Sequence, residues 1–71
     1  MSGEENDLKK RSIVIAGHQT SVTLENIFWD RLKDIARDRD MSLSLLISEI
    51  DHHRQTNLSS AIRVFILKHY L

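Results

Sequence analysis

The hydrophobic pattern changes abruptly inside the segment QTSVTLENIFWDRLKDIA, residues 19–36. Up to Leu24, apolar and polar side chains alternate with the period of two that is typical of a strand. Beyond Leu24, the apolar residues recur with a period of about 3.6, which is typical of an amphipathic helix. No Gly or Pro separates the two patterns. The sequence therefore predicts a strand that passes directly into a helix.

The region before this helix holds two β-like stretches. SIVIA starts at Ser12, TSVTL ends at Leu24, and GHQ between them is able to form a turn or a bulge. Residues 12–24 therefore form either one interrupted strand or a hairpin, and the pattern does not decide between the two. In TSVTL, Val22 and Leu24 share an apolar face. The opposite face is polar and consists of Gln19, Ser21 and Thr23.

Apolar stripes predict two helices after the strand. The first stripe occupies positions i, i+4, i+7 and i+8, namely Phe28, Leu32, Ile35 and Ala36. After the polar break RDRDM, Ser42 is placed to cap a second helix. The stripe of this helix consists of Leu43, Leu46, Ile47 and Ile50. Leu45 lies outside the stripe and therefore needs another surface to cover it.

A third apolar segment follows the break HHRQTN, and Asn57 is placed to cap it. The segment IRVFILKHYL contains β-branched residues that fit a strand as well as a helix, and its spacing favours the helix. Val64, Leu67 and Tyr70 make this helix apolar nearly all round, which is typical of a buried helix. A chain of 71 residues has little of itself with which to bury it, so we expect a partner surface there.

Size and composition restrict the class of protein. The 71 residues make one small domain, and the absence of Cys excludes disulfides and Cys-based zinc sites. No apolar run approaches the roughly 18 residues of a membrane span, and the polar start lacks the apolar core of a signal peptide. We therefore expect a soluble cytoplasmic protein with no membrane contact. Its predicted parts are a disordered tail, residues 1–10, and a single domain, residues 11–71.

The charges are balanced overall but not along the chain. Ten Lys and Arg residues match ten Asp and Glu residues, which alone argues against nucleic-acid binding. Residues 9–71, however, hold all ten basic residues and seven of the acidic ones. Lys9, Lys10 and Arg11 form a basic cluster just before the first apolar run. This cluster is either a solvated junction or an arm that contacts phosphates.

A single strand exposes unpaired backbone groups and does not persist in water without a neighbour. We expect a second copy of the chain to supply that neighbour about a twofold axis. Val22 and Leu24 would then close over the helices, while the polar row faces outward. Such a two-stranded ribbon fits the major groove of DNA, which is about 12 Å wide and shows a different hydrogen-bonding pattern for each base pair.

The order of these parts resembles the ribbon-helix-helix DNA-binding family, which includes the Arc and methionine repressors. The resemblance covers about residues 18–54 and rests on SVTLENIFWDRLKDIARDRDMSLSLLISEI. RSIVIAGHQTSVTLE and NLSSAIRVFIL are similar to a small bacterial subgroup with a longer N-terminal strand region and an added C-terminal helix. The resemblance implies a mostly α-helical fold with a short β-ribbon: an intertwined ribbon-helix-helix homodimer with an additional C-terminal helix. It also implies a transcriptional regulator, such as a repressor.

The resemblance assigns roles to residues of this sequence. Base contacts fall on Gln19, Ser21 and Thr23. Phosphate contacts fall on the start of the second helix, at Ser42, Leu43 and Ser44, where free backbone amides favour an anion, and we add Lys9, Lys10 and Arg11. The predicted dimer interface consists of Val22, Leu24, Trp29, Leu45 and Phe65. Position 40 is Asp where the family turn often has Gly, so a left-handed residue or a different turn is expected there.

Other kinds of site find little support in the sequence. His52 and His53 are adjacent, and Glu49 precedes His53 by four residues, but neighbouring side chains on a helix point about 100° apart and no further ligand converges on them. The sequence also offers no nucleophile with a neighbouring base and no Gly-rich phosphate loop. We therefore expect no enzyme activity, no cofactor and no metal.

A protein-interaction module is the alternative function. The same dimer would then hold a protein partner, as an antitoxin-like or adaptor subunit, with the apolar third helix as the docking surface. Contacts would depend mainly on Leu58, Phe65 and Tyr70. DNA binding and partner binding are compatible, and dimers could assemble further on DNA.

Overall fold

A computed structural model describes residues 7–71 of the chain. Two strands precede three helices: β1 (Leu8–Ile15), β2 (His18–Glu25), α1 (Asn26–Asp38), α2 (Leu43–His53) and α3 (Leu58–Tyr70). The fold is thus a β-ribbon followed by helices, with an additional C-terminal helix, as the sequence predicted. The third apolar segment is a helix and not a strand.

The strands pair antiparallel with each other as a hairpin, with Ser12 opposite Ser21. The two-residue turn between them is made by Ala16 and Gly17, both of which have positive φ values, 51° and 82°. Such a turn matches the twist of the strands, and glycine adopts it freely, whereas alanine bears a steric cost. Of the two arrangements that the sequence left open, the hairpin is the one formed.

This pairing corrects the expectation about the mate of β2. The sequence pattern, which treats TSVTL as a lone strand, predicts that a second copy supplies the mate. In the structure, β1 of the same chain forms the ribbon with β2. The pattern also indicates GHQ as the possible turn, whereas the chain turns one residue earlier, at Ala16 and Gly17.

Ordered structure also begins earlier than predicted. The predicted disordered tail includes residues 8–10, but these belong to β1 and pair with the end of β2. The rest of the predicted tail, apart from Asp7, lies outside the described residues. Leu8 and the two lysines after it are exposed. This part of β1 therefore lacks the buried apolar residues by which a strand is recognised in a sequence.

The junction between β2 and α1 has no loop, as the change of period predicted. Glu25 is the last residue of β2 and the N-cap of α1, with extended backbone angles and no side-chain cap bond. The Asn26 amide instead donates a hydrogen bond to the Asp7 carbonyl, 3.0 Å away. The hairpin therefore satisfies one of the amides that a helix N-terminus leaves without a partner.

Side-chain caps start the other two helices at the predicted residues. The Ser42 hydroxyl accepts a hydrogen bond from the Leu45 amide at 3.0 Å, and the Asn57 side chain accepts one from the Ser60 amide at 2.9 Å. These bonds stop the preceding loops at fixed residues and so set where α2 and α3 begin.

The turn after α1 adopts the left-handed conformation that the sequence indicated as one option. Asp40 has φ 56°. The Met41 amide donates to the Ala36 carbonyl and the Asp40 amide to the Arg37 carbonyl, both at 3.0 Å. This pair of bonds is the Schellman arrangement, in which glycine is the preferred left-handed residue.

We expect Asp40→Gly to stabilise the protein by about 0.5 to 1 kcal/mol, because glycine adopts a positive φ without a Cβ clash. Urea denaturation followed by circular dichroism measures the change. Asp40→Ala is the control and should give no gain, since alanine keeps the clash. Equal stability of the Gly and Ala variants would contradict the role of the positive φ.

The hydrophobic core draws on every element and joins the ribbon to the helices. From β1 and β2 it takes Ile13, Val22 and Leu24; from the helices it takes Leu32, Ile35, Ala36, Leu46, Ile47, Ile50, Ile62 and Ile66. The inner face of the hairpin therefore packs on the helices, and its outer face remains free. α3 is an integral layer of this core and not an appendage.

Candidate nucleic-acid interface

The outer side of the hairpin carries side chains from both strands of one chain. Directly opposite residues of an antiparallel pair point to the same side of the sheet. The register therefore adds residues of β1 to the predicted polar row of β2, giving the pairs Lys10 with Thr23, Ser12 with Ser21, and Val14 with Gln19. The fourth pair on this side, Leu8 with Glu25, lies at the open end of the hairpin, and we call the six residues of the other three pairs the outer face. All are exposed except Thr23, which is half-buried.

The basic cluster is divided between the two sides of the hairpin. Lys10 lies on the outer face, whereas Lys9 and Arg11 alternate to the inner side, opposite Leu24 and Val22. The polar face thus gains a cation, although the β2 row alone has none. This contribution of β1 was missed at the sequence level because it depends on choosing the hairpin and its register.

Arg11 is held against the body of the protein. Its guanidinium donates a hydrogen bond to the Asn26 side chain and lies over the Trp29 ring, 4.9 Å from the ring centroid. A guanidinium over an aromatic face is attracted by the ring quadrupole. The Arg11 side chain thus contacts residues of α1 within its own chain, and its phosphate contact stays a prediction.

The N-terminus of α2 lies beside the outer face. Leu43 and Ser44 line a shallow pocket together with three residues of that face, Ser12, Val14 and Gln19. The first amides of a helix have no partner within the helix, and the helix dipole favours an anion at that end. The first turn of α2 contains no acidic residue. Gln19 of the predicted base-contacting row and Leu43 and Ser44 of the predicted phosphate-contacting helix start therefore line one pocket.

The backbone of β2 has a free edge. The bond from Asn26 to Asp7 identifies that pair as hydrogen-bonded, and hydrogen-bonded and non-hydrogen-bonded pairs alternate along an antiparallel ladder. The backbone groups of Gln19, Ser21 and Thr23 consequently point away from β1. Within residues 7–71 no other strand pairs with this edge.

The residues predicted for a dimer interface occupy different environments. Val22 and Leu24 are 3% and 0% exposed within the single chain, so their side chains are already covered by its own core. Trp29 and Phe65 are half-buried, and Arg39 lies over the Phe65 ring, 5.2 Å from its centroid. Leu45 is 52% exposed and retains a surface that a second copy could cover.

An ion pair ties α3 to the end of the ribbon. Arg63 donates a hydrogen bond from its Nε to the Glu25 carboxylate at 3.0 Å. The pKa of Glu25 lies below its ordinary value, first because its carboxylate accepts a hydrogen bond from its own amide and second because of the bond from Arg63. Since the folded pKa is lowered, the stabilisation is present above the unfolded pKa and is lost as the pH falls through the folded value.

The described part of the chain offers neither a metal site nor a membrane span. No three His, Asp or Glu side chains among residues 7–71 lie where they could share a metal ion. His52 and His53, at the end of α2, contact each other edge to face with ring centroids 4.9 Å apart. None of the three helices is both long and apolar enough to cross a membrane.

Comparison with known proteins identifies the family. A family described as the ribbon-helix-helix domain matches residues 8–70. The chain belongs to this family. Ribbon-helix-helix domains are generally found in dimeric DNA-binding regulators or antitoxins. The match includes β1 and α3, so both additions to the strand-helix-helix unit belong to the ribbon-helix-helix domain.

A solved structure shares the whole described fold. It is that of an uncharacterized protein from Bordetella pertussis Tohama I, which is 29% identical and superposes with a TM-score of 0.81. The alignment covers 99% of this chain and 61% of that one, so this ribbon-helix-helix domain spans less than two thirds of the length of its neighbour. No curated protein matches the sequence significantly.

Proposed function

We propose that this ribbon-helix-helix protein is a sequence-specific DNA-binding homodimer that acts as a small transcriptional regulator, a repressor in the bacterial cytoplasm. The observation that carries the proposal is that an exposed polar ribbon face lies beside a helix N-terminus whose first turn has no acidic side chain. Short polar side chains are suited to reading base edges, and helix N-termini are suited to binding phosphate.

The dimer uses the free edge of β2. Two copies pair their β2 strands antiparallel about a twofold axis, which satisfies the outward backbone groups of Gln19, Ser21 and Thr23. The result is a four-stranded sheet with β2 of each copy at its centre and β1 at its margins. The second copy remains necessary, but it completes a sheet that one chain has begun.

The spacing of strands decides which outer-face residues meet bases. Neighbouring strands lie about 4.8 Å apart, so each β1 lies about 7 Å from the twofold axis. The major groove is about 12 Å wide, so the two β2 strands face its floor and the two β1 strands face its sides. Gln19, Ser21 and Thr23 then contact bases. Lys10 contacts phosphates, and Ser42, Leu43 and Ser44 anchor the same backbone.

The proposal is tested by selecting bound sequences from a random duplex pool and measuring the affinity of variants by fluorescence anisotropy. Ser21→Ala or Thr23→Ala should lose about 1 to 3 kcal/mol of discrimination between the selected sequence and its single-base variants. Thr20→Ala is the matched control, because Thr20 lies in the same strand but points to the inner side. The helical signal in circular dichroism should stay unchanged in all three.

Two results would count against this function. One is an equal loss of affinity on every DNA sequence for the outer-face variants, which would indicate no base reading. The other is an affinity that does not fall with salt, because each phosphate contact should contribute about −0.9 to the log-log slope. Lys10→Ala should make that slope less steep by about this amount per copy.

A second function is favoured by the outward face of α3. Val64, Leu67 and Leu71 are 49%, 59% and 93% exposed and follow the spacing i, i+3, i+7 on the side away from the core. Residues 52–71 contain no acidic side chain. We propose that this stripe docks an amphipathic helix with acidic flanks, as in an antitoxin-like or adaptor protein.

Photo-crosslinking in the native cells tests this second function. A crosslinking side chain at Leu67 should give one discrete protein adduct, and one at Lys33, on the exposed side of α1, should give none. Identical adduct patterns at the two positions would argue against a docking surface on α3.

A further inference from the structure

Val14 is an apolar residue in a polar setting. It belongs to the outer face of the hairpin and is 53% exposed, although Ile13 and Ile15, its neighbours in β1, turn inward to the core side. Its side chain therefore contributes little to the packing of the domain. An exposed branched side chain on a face that meets DNA is available to contact an apolar group of the DNA.

Gln19 stands directly across from Val14. The two form a non-hydrogen-bonded pair, the kind in which the Cα atoms are only about 4.5 Å apart and the side chains approach most closely. In the major groove, a Gln side chain pairs with the N6 and N7 atoms of adenine, and apolar side chains contact the C5-methyl group of thymine. The pair thus combines the two chemical features that distinguish A·T pairs there.

We propose that Val14 is a specificity-determining residue that contacts the C5-methyl group of a thymine, beside an adenine read by Gln19. The inference rests on the proposed DNA binding and adds to it a preference for A·T pairs at the turn end of each hairpin. A strand at the margin of the sheet faces the side of the groove, where the methyl group of thymine projects next to its own sugar-phosphate backbone.

The position of α2 supports this contact. Val14 and Gln19 line the same shallow pocket as Leu43 and Ser44, at the predicted phosphate anchor. A DNA backbone held at the start of α2 therefore passes next to Val14. The contact at the start of α2 fixes how far this DNA strand lies from the hairpin. The methyl group of a nearby thymine therefore comes within reach of the Val14 side chain.

The test uses the best duplex selected by the wild-type protein. Each thymine is replaced in turn by deoxyuridine, which lacks only the methyl group, and affinities are measured at one salt concentration. We expect the wild type to lose about three- to fivefold at one thymine per half-site, the value of one buried methyl group. Val14→Ala should bind the thymine duplex more weakly and show no further loss with deoxyuridine at that position.

Val14→Thr is the control for shape, since threonine keeps one of the two methyl groups of valine. This variant should retain part of the preference for the thymine duplex over the deoxyuridine duplex. Thermal unfolding should be nearly unchanged in both variants. The inference is overturned if every deoxyuridine duplex binds the wild type as tightly as its thymine parent, or if Val14→Ala discriminates as well as the wild type. Those results leave sequence-specific binding standing, whereas failure to select any sequence overturns both proposals.

Discussion

Ser21→Pro is expected to yield a folded monomer that binds its DNA site at least about 100-fold more weakly than the wild type. The Ser21 amide points to the free edge of β2, so proline removes no hydrogen bond of the hairpin. It does remove a backbone donor from the proposed pairing between the β2 strands of two copies, which we call the seam. Loss of the second copy removes half of the DNA contacts, and linking two binding modules commonly contributes a factor of about 10² to 10⁴.

Two variants make this result specific. Ser21→Ala keeps the amide and should remain dimeric, so a change of mass confined to the proline variant identifies the backbone as the cause. Val22→Pro removes an amide that belongs to a hydrogen-bonded pair of the hairpin and should unfold the domain. Analytical ultracentrifugation measures the mass of each variant. If the Ser21→Pro variant forms a dimer with the same dissociation constant as the wild type, the proposed seam is refuted.

The second large effect is expected from Ile62→Ala, which should lower the free energy of unfolding by about 3 kcal/mol. Ile62 is fully buried, and truncating a buried Ile removes its transfer free energy and leaves a cavity. For a domain of this size, such a loss is a large part of the total stability, which is on the order of 4 to 10 kcal/mol. Urea denaturation followed by Trp29 fluorescence gives the value.

Val64→Ala is the matched control in the same helix. Val64 is 49% exposed, so its truncation should change stability by about 0.5 kcal/mol or less. A similar effect of the two substitutions would mean that α3 packs in another orientation. If the urea midpoint of Ile62→Ala equals that of the wild type, α3 does not unfold cooperatively with the rest of the domain.

The helices were the part of the fold most open to prediction. Ser42 and Asn57 cap helices as expected, and every buried residue of α1 and α2 belongs to a predicted stripe, of which only Phe28 and Leu43 are half-buried. Helical spacing and cap chemistry are local, so a short window of sequence contains them. The strand-to-helix junction at Glu25 was predictable for the same reason.

The ribbon was less predictable, because strand pairing is not local. Two β-like stretches are compatible with pairing within a chain or between chains, and Ala16 at a positive φ is an unusual turn residue. The register of the hairpin decides that Lys10 and Val14 join the outer face and that Arg11 does not. Because the register shifts every side chain of β1 together, no single residue of that strand revealed its side.

The hairpin has a consequence for how the target sequence of such a regulator could change over time. In the proposed dimer, residues of β2 serve both the seam between copies and the contact with bases, so substitutions there would disturb two properties at once. Positions 10, 12 and 14 lie on the outer strand, apart from that seam. If the protein binds DNA as proposed, single substitutions in β1 would change the preference at the flanks of an operator while assembly and the central recognition are preserved.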